Sequence, residues 1–137
     1  MPRKFVDDEE AFLRSYKNAH KIKKKLNKHQ IAIYYFNNMK GRIKTKEYSK
    51  NKIEIKWTKE AFIEWFLSDV NVKRFNDILA AGETPSIDRI NSKGHYEEAN
   101  CRIIPNKLNM ALGEVNGLIS RMKTLQEYLK ENQHWLQ

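Results

Sequence analysis

Phe12, Leu13, Tyr16, Ala19 and Ile22 recur at helical spacing, with Asp7, Asp8, Glu9 and Glu10 before them and Lys23, Lys24 and Lys25 behind. Acids at the start of a helix and lysines at its end complement the helix dipole, so a first helix is predicted here. The lysine run is otherwise simply a solvated helix end. A second helix is predicted from His29 to about Arg42, with Ile31, Tyr34, Tyr35 and Met39 as its buried side. Residues 44–52 are basic, polar and poor in apolar side chains, which reads as an exposed loop. Ile53-Glu54-Ile55-Lys56-Trp57 alternates apolar and charged positions, the period of a short strand. Thr58 is placed to cap the next helix, whose apolar face is Phe62, Ile63, Trp65 and Phe66. Residues 71–80 suit another short helix closed by Gly82, and Pro85 then favours extended chain before it.

From Pro85 the pattern is a short strand, a turn at Gly94, a second short strand and a helix. Gly94 is expected to supply a positive φ, which a residue with a Cβ would resist. Beyond Asn106 the chain is helical almost to its end. Leu108, Leu112, Val115, Ile119, Met122 and Leu129 follow steps of four and three residues, with Gln126 a polar break. This is a coiled-coil-like seam, although Gly113 and Gly117 each weaken the helix by about 1 kcal/mol relative to Ala. The seam either packs on the domain's own helices or pairs with a second copy as a homodimer. The class expected is α+β, in one compact domain: a mostly helical, basic part over 1–84, the strand-turn-strand-helix segment over 85–112, and a C-terminal helix over 113–137.

Composition narrows the partner. Lys and Arg outnumber Asp and Glu by 26 to 17 across 137 residues, a formal charge of +9. That excess suits a polyanion, because neutralising phosphates releases counterions. The single Cys101 excludes an intrachain disulfide and a Cys-rich structural zinc site. No apolar run approaches the ~18 residues of a membrane span, and Met1-Pro2-Arg3-Lys4 is followed by acids rather than a signal segment. An intracellular protein without a membrane partner is expected.

The run Pro85-Ser86-Ile87-Asp88-Arg89-Ile90, Gly94-His95-Tyr96, Asn100-Cys101-Arg102-Ile103-Ile104 and then Asn109 resembles the HNH, or His-Me finger, endonucleases, in particular their phage-type members. A weaker likeness runs upstream through Tyr35, Met39-Lys40-Gly41-Arg42, Ile53 to Trp57 and Phe62 to Phe66, so that it covers roughly residues 34–112. The family closes its first strand with Asp-His, places an Asn twelve residues on and an Asn or His about nine later; Asp88, Asn100 and Asn109 keep that spacing. Arg89 stands where the family's general-base His usually does. The resemblance implies a ββα-metal finger set among helices, acting as a metal-dependent endonuclease on DNA, double-stranded by expectation, of phage or mobile-element type and cytoplasmic, in the host cell if phage-encoded. It also implies Asp88 and Asn109 as oxygen ligands of Mg²⁺, or Mn²⁺ in its place, with no structural zinc.

Each candidate carries a plainer alternative. Asp88 is a metal ligand, or the ion-pair partner of Arg89, Arg102 or a lysine. Asn109 is a ligand through the finger geometry alone; otherwise it is an exposed helical Asn. Asn100 is assigned to structure, bonding across the hairpin to pin the loop. Arg89 stays protonated and cannot serve as a base, but its fork can clamp a phosphate. His95, expected across the turn from Arg89 at about 5 Å between Cα atoms, is either the general base or a structural or DNA-contacting residue. Lys93, Arg102, Lys107, Lys40 and Arg42 are candidate phosphate contacts, and Trp57 and Trp65 are expected in the core. Two rivals to the endonuclease remain: a nucleic-acid-binding protein that has lost catalysis, and a phage accessory factor that dimerises through the C-terminal seam.

Overall fold

The computed structural model describes residues 9–20 and 26–136. Asp7, Asp8, Ile22 and the lysines at 23–25, which frame the predicted first helix, lie outside them. The described chain is α+β, with α1 Glu9–His20, α2 Lys28–Ile43, α3 Lys46–Lys50, α4 Lys59–Phe66, α5 Asp69–Ala80, β1 Pro85–Arg89, β2 Cys101–Pro105 and α6 Asn106–Glu131. It divides into two units, 1–106 and 107–137, where one domain with a boundary at 112 was expected.

Local chemistry sets the helix starts. Asn27 and Gln30 form a reciprocal capping box on α2, Asn27 Oδ1 accepting from Gln30 N at 2.8 Å and Gln30 Oε1 from Asn27 N at 2.9 Å. Thr58 accepts from Ala61 N and Ser68 from Asn71 N, opening α4 and α5. α5 ends at Gly82, whose φ of 78° is the left-handed conformation that Gly adopts without strain.

The core of the first unit is aromatic. Phe75 of α5 lies 4.9 Å from Phe12, 5.6 Å from Phe66 and 5.8 Å from Tyr35 between ring centroids, so one side chain joins α1, α2 and α4. Phe36 meets Phe62 at 5.4 Å, and Trp57 packs on Phe62 and Trp65 at the edge of this cluster. Ile87, Cys101 and Ile103 add the inner face of the sheet. Tyr34, expected on the buried side of α2, is instead 49% exposed.

Three expectations change. Residues 44–52 hold the short helix α3, which buries no residue fully but sets half-buried Tyr48 against the core; one aromatic in a polar turn makes no apolar period to announce it. Residues 53–57 form no strand of their own: Ile55 makes one parallel bridge to Tyr96, with Tyr96 N donating to Glu54 O and Lys56 N to Tyr96 O. His95, expected opposite Arg89 across the turn, is not its partner: the second strand is residues 101–105, which pair with β1, while Gly94–Tyr96 is held by the Ile55 bridge. Among the described residues no helix is long and apolar enough to cross a membrane.

Candidate functional site

The antiparallel register pairs Pro85 with Pro105, Ile87 with Ile103, Asp88 with Arg102 and Arg89 with Cys101. Directly opposed residues share a face of the sheet, and successive ones alternate between faces. Asp88 and Arg102 consequently meet, Arg102 Nε donating to Asp88 Oδ2 at 2.8 Å. The Asp88 side chain is 12% exposed and that of Arg102 38%. Asp88 Oδ1 and the Arg102 Nη groups hold no further partner among the described residues. The ion pair thus orients the carboxylate while leaving one of its oxygens unclaimed.

Alternation sends Arg89 to the other face. Its Nη1 donates to the carbonyls of Ser92 at 2.7 Å and Gly94 at 2.8 Å, and its guanidinium lies 4.8 Å from the Tyr48 ring centroid and 5.3 Å from that of Tyr96. Stacked and doubly bonded in this way, Arg89 braces the 90–95 loop, an occupation different from the phosphate clamp expected of it. Lys93 lies on the outside of that loop, in a shallow depression with Tyr48, Asn51 and Arg89.

His95 is likewise engaged. Glu54 N–H donates to its Nδ1 at 3.0 Å, so in the neutral ring the proton sits on Nε2. It does not face Arg89 across a hairpin, because the strand partner of Arg89 is Cys101. To accept a proton from water at Nδ1 the ring would have to give up the bond to Glu54.

Asn100 stitches the same loop. Its Oδ1 accepts from Asn91 N at 2.8 Å, and its Nδ2 donates to Asn91 O at 3.1 Å and His95 O at 2.9 Å. Gly94 is required by proximity and not by a positive φ: a Cβ there would lie 2.7 Å from Asn100 Nδ2. Cys101 sits beneath this stitching, and burial pushes its thiol up to about 11, against the Glu97 backbone and the Arg89 charge.

A groove of about 200 Å³ runs between α2 and β1, lined by Tyr34, Asn38 and Arg42 along one helix stripe and by Thr84 and Ser86 opposite. Tyr35 Oη donates to Pro85 O at 3.4 Å and ties the two walls together. Asn38 and Thr84 keep their side-chain polar groups unengaged among the described residues. Asn38 and Thr84 escaped the sequence reading, and Tyr34 was read there as a core residue; the signal available was the i, i+4, i+8 spacing of positions 34, 38 and 42. Arg42 also bonds the Tyr96 hydroxyl, whose pKa is raised chiefly by burial and then by Tyr48. Lys40 is exposed on α2 away from this lining.

Lys107 and Asn109 belong to the second unit, where Lys107 is exposed and Asn109 half-buried in the first turn of α6. Among the described residues no three His, Cys, Asp or Glu side chains gather in a metal-binding group. Asp88 Oδ1 is a carboxylate oxygen, the donor type a hard divalent cation takes. Mg²⁺ commonly binds through one or two carboxylates, completing its shell with water and substrate phosphate. The chain matches no family model, no curated protein and no solved structure.

Proposed function

We propose that this chain is a metal-dependent DNA endonuclease of the His-Me finger kind. The observation that carries the reading is the Asp88 carboxylate, fixed by Arg102 at a strand end with Oδ1 left unclaimed. Asp88 would hold the cation. A bound Mg²⁺ would polarise the scissile phosphate and lower the pKa of its own water. The free Nη groups of Arg102 can donate to a phosphate oxygen beside the ion, a charge-assisted bond. Arg42 and the unengaged amide and hydroxyl of Asn38 and Thr84 offer a strand's backbone a polar track along α2. Lys40 and Lys93, both exposed, add positive charge without geometry of their own.

A second reading, a finger that binds DNA without cutting it, is favoured by the engagement of both Arg89 and His95. Neither is free to take a proton from water. Plasmid nicking with Mg²⁺ or Mn²⁺ separates the two. Cleavage that Asp88→Ala abolishes, with binding retained, supports the endonuclease; cleavage at the wild-type rate by Asp88→Ala removes the metal assignment. No cleavage with either ion, together with tight binding, leaves the second reading. Asn109→Ala in the same assay tests the ligand that the resemblance alone supplies. Binding itself should weaken with salt, with a slope of log K against log salt of about −4.5 if roughly five phosphates are contacted. A slope near zero would sink both readings.

A further inference from the structure

The 26-residue α6 buries no residue. Val115, Leu118, Ile119, Met122 and Leu125 are each between 42% and 57% exposed. A column of residues 108, 115, 122 and 129, spaced by seven, is flanked by 111, 118 and 125 on one side and by 112 and 119 on the other. The apolar stripe is therefore three columns wide and keeps the heptad period of a left-handed coiled coil. Gly113 and Gly117 stand outside the stripe, with open space where a Cβ would be. A helix with two interior glycines and no buried side chain has little to hold it in water by itself.

The borders of the stripe say what covers it. On the side of Leu118 runs the column Lys107, Glu114, Arg121 and Tyr128; on the side of Ile119 runs Asn109, Asn116, Lys123 and Lys130. An antiparallel pair sets each border against its own copy reversed, whereas a parallel pair sets it against the other border. Reversed against itself, the first column places Glu114 opposite Arg121 twice and Lys107 opposite Tyr128 twice, with no like charges meeting. The same register puts Leu108 against Leu125, Val115 against Leu118 and Ala111 against Met122, large against small in the last case. Sliding by one heptad brings Arg121 against itself and Asn132 into the seam. In a parallel pair Arg121 would face the Lys123 and Lys130 border.

We infer that α6 docks on the α6 of a second copy of this chain, antiparallel, with Glu114 of each copy against the partner's Arg121. Self-association through α6 is independent of whether the finger cuts DNA. The test is the full chain's mass and dimer dissociation constant by light scattering and sedimentation, at constant salt. Wild type should be a dimer. Glu114→Arg and Arg121→Glu should each raise the dissociation constant about ten-fold, since each turns two attractive contacts into two repulsive ones, and the double variant should restore it. Leu118→Glu should give a monomer whose circular dichroism shows the first unit still folded. A wild-type monomer at every concentration overturns the inference. A dimer indifferent to both charge changes, or tightened by Arg121→Glu, overturns the antiparallel pairing.

Discussion

Phe75 and Leu118 are both large apolar side chains in the middle of long helices, yet Phe75 is 1% exposed and Leu118 57%. Both helices that carry them show an apolar stripe at helical spacing. α5 turns Val72, Phe75, Ile78 and Leu79 into a core shared with three other helices and a sheet, while α6 keeps a continuous apolar stripe outside any core. An apolar period states that a face must be covered; it does not state by what. In the first unit the cover is the rest of the chain. For α6 the pairing inferred above would supply it.

That contrast is open to mutation. Phe75→Ala should cost about 3–5 kcal/mol of the first unit's stability, as deleting a buried aromatic ring leaves a cavity among its neighbours. Leu118→Ala should move the same urea transition by less than about 0.5 kcal/mol, because the side chain is not part of that core. Equal losses in the two variants would show that α6 unfolds with the core and that the comparison is false.

Glycine substitutions should differ in sign between the two regions. Gly94→Ala meets Asn100 Nδ2 at 2.7 Å, and that amide is held by its bonds to Asn91 and His95, so a loss of about 1–3 kcal/mol is expected. Gly113→Ala meets nothing within 4 Å and should strengthen α6 by about 0.5–1 kcal/mol, read as increased helicity. A neutral Gly94→Ala would mean that the loop relaxes freely around Asn100.

A last difference concerns pH. Unfolded Cys101 ionises near its ordinary 9.0 and folded Cys101 near about 11; burial likewise moves Tyr16 from 10.0 to about 12. In both, the unfolded chain releases its proton first. Stability from these groups is full below about pH 9 and should fall as pH rises toward about 12, measured by denaturation at fixed salt. Iodoacetamide at neutral pH should modify Cys101 only after unfolding. Rapid modification of the folded protein would show that the sheet's inner face opens readily.

The elements that were legible in the sequence are those whose causes are local. The approximate spans of α2, α4, α5 and α6 follow from apolar spacing, and Thr58 caps α4 through its own third neighbour, whereas the Asn27 and Ser68 caps that open α2 and α5 were not read. The short helix α3 was hidden because it carries a single aromatic, Tyr48, among polar residues and so shows no apolar period. His95 was misplaced opposite Arg89 because chain proximity suggested it, while the Ile55 bridge and the Asn100 side chain claim Gly94–Tyr96 and leave Cys101 to pair with Arg89.

The sequence by itself determined the helical periods, the turn and cap residues, the positive charge and the spacing of Asp88, Asn100 and Asn109, all of which depend on residues close together in the chain. Tertiary structure alone decided which way each polar group turned. Strand register put Asp88 against Arg102 and sent Arg89 to the opposite face; the approach of residue 54 took up His95 Nδ1; the packing of α2 beside β1 brought Asn38, Arg42 and Thr84 to one groove. The physical reason is that a hydrogen bond or ion pair between distant residues has no period and no local preference. Its partner is set by which faces the core leaves next to one another.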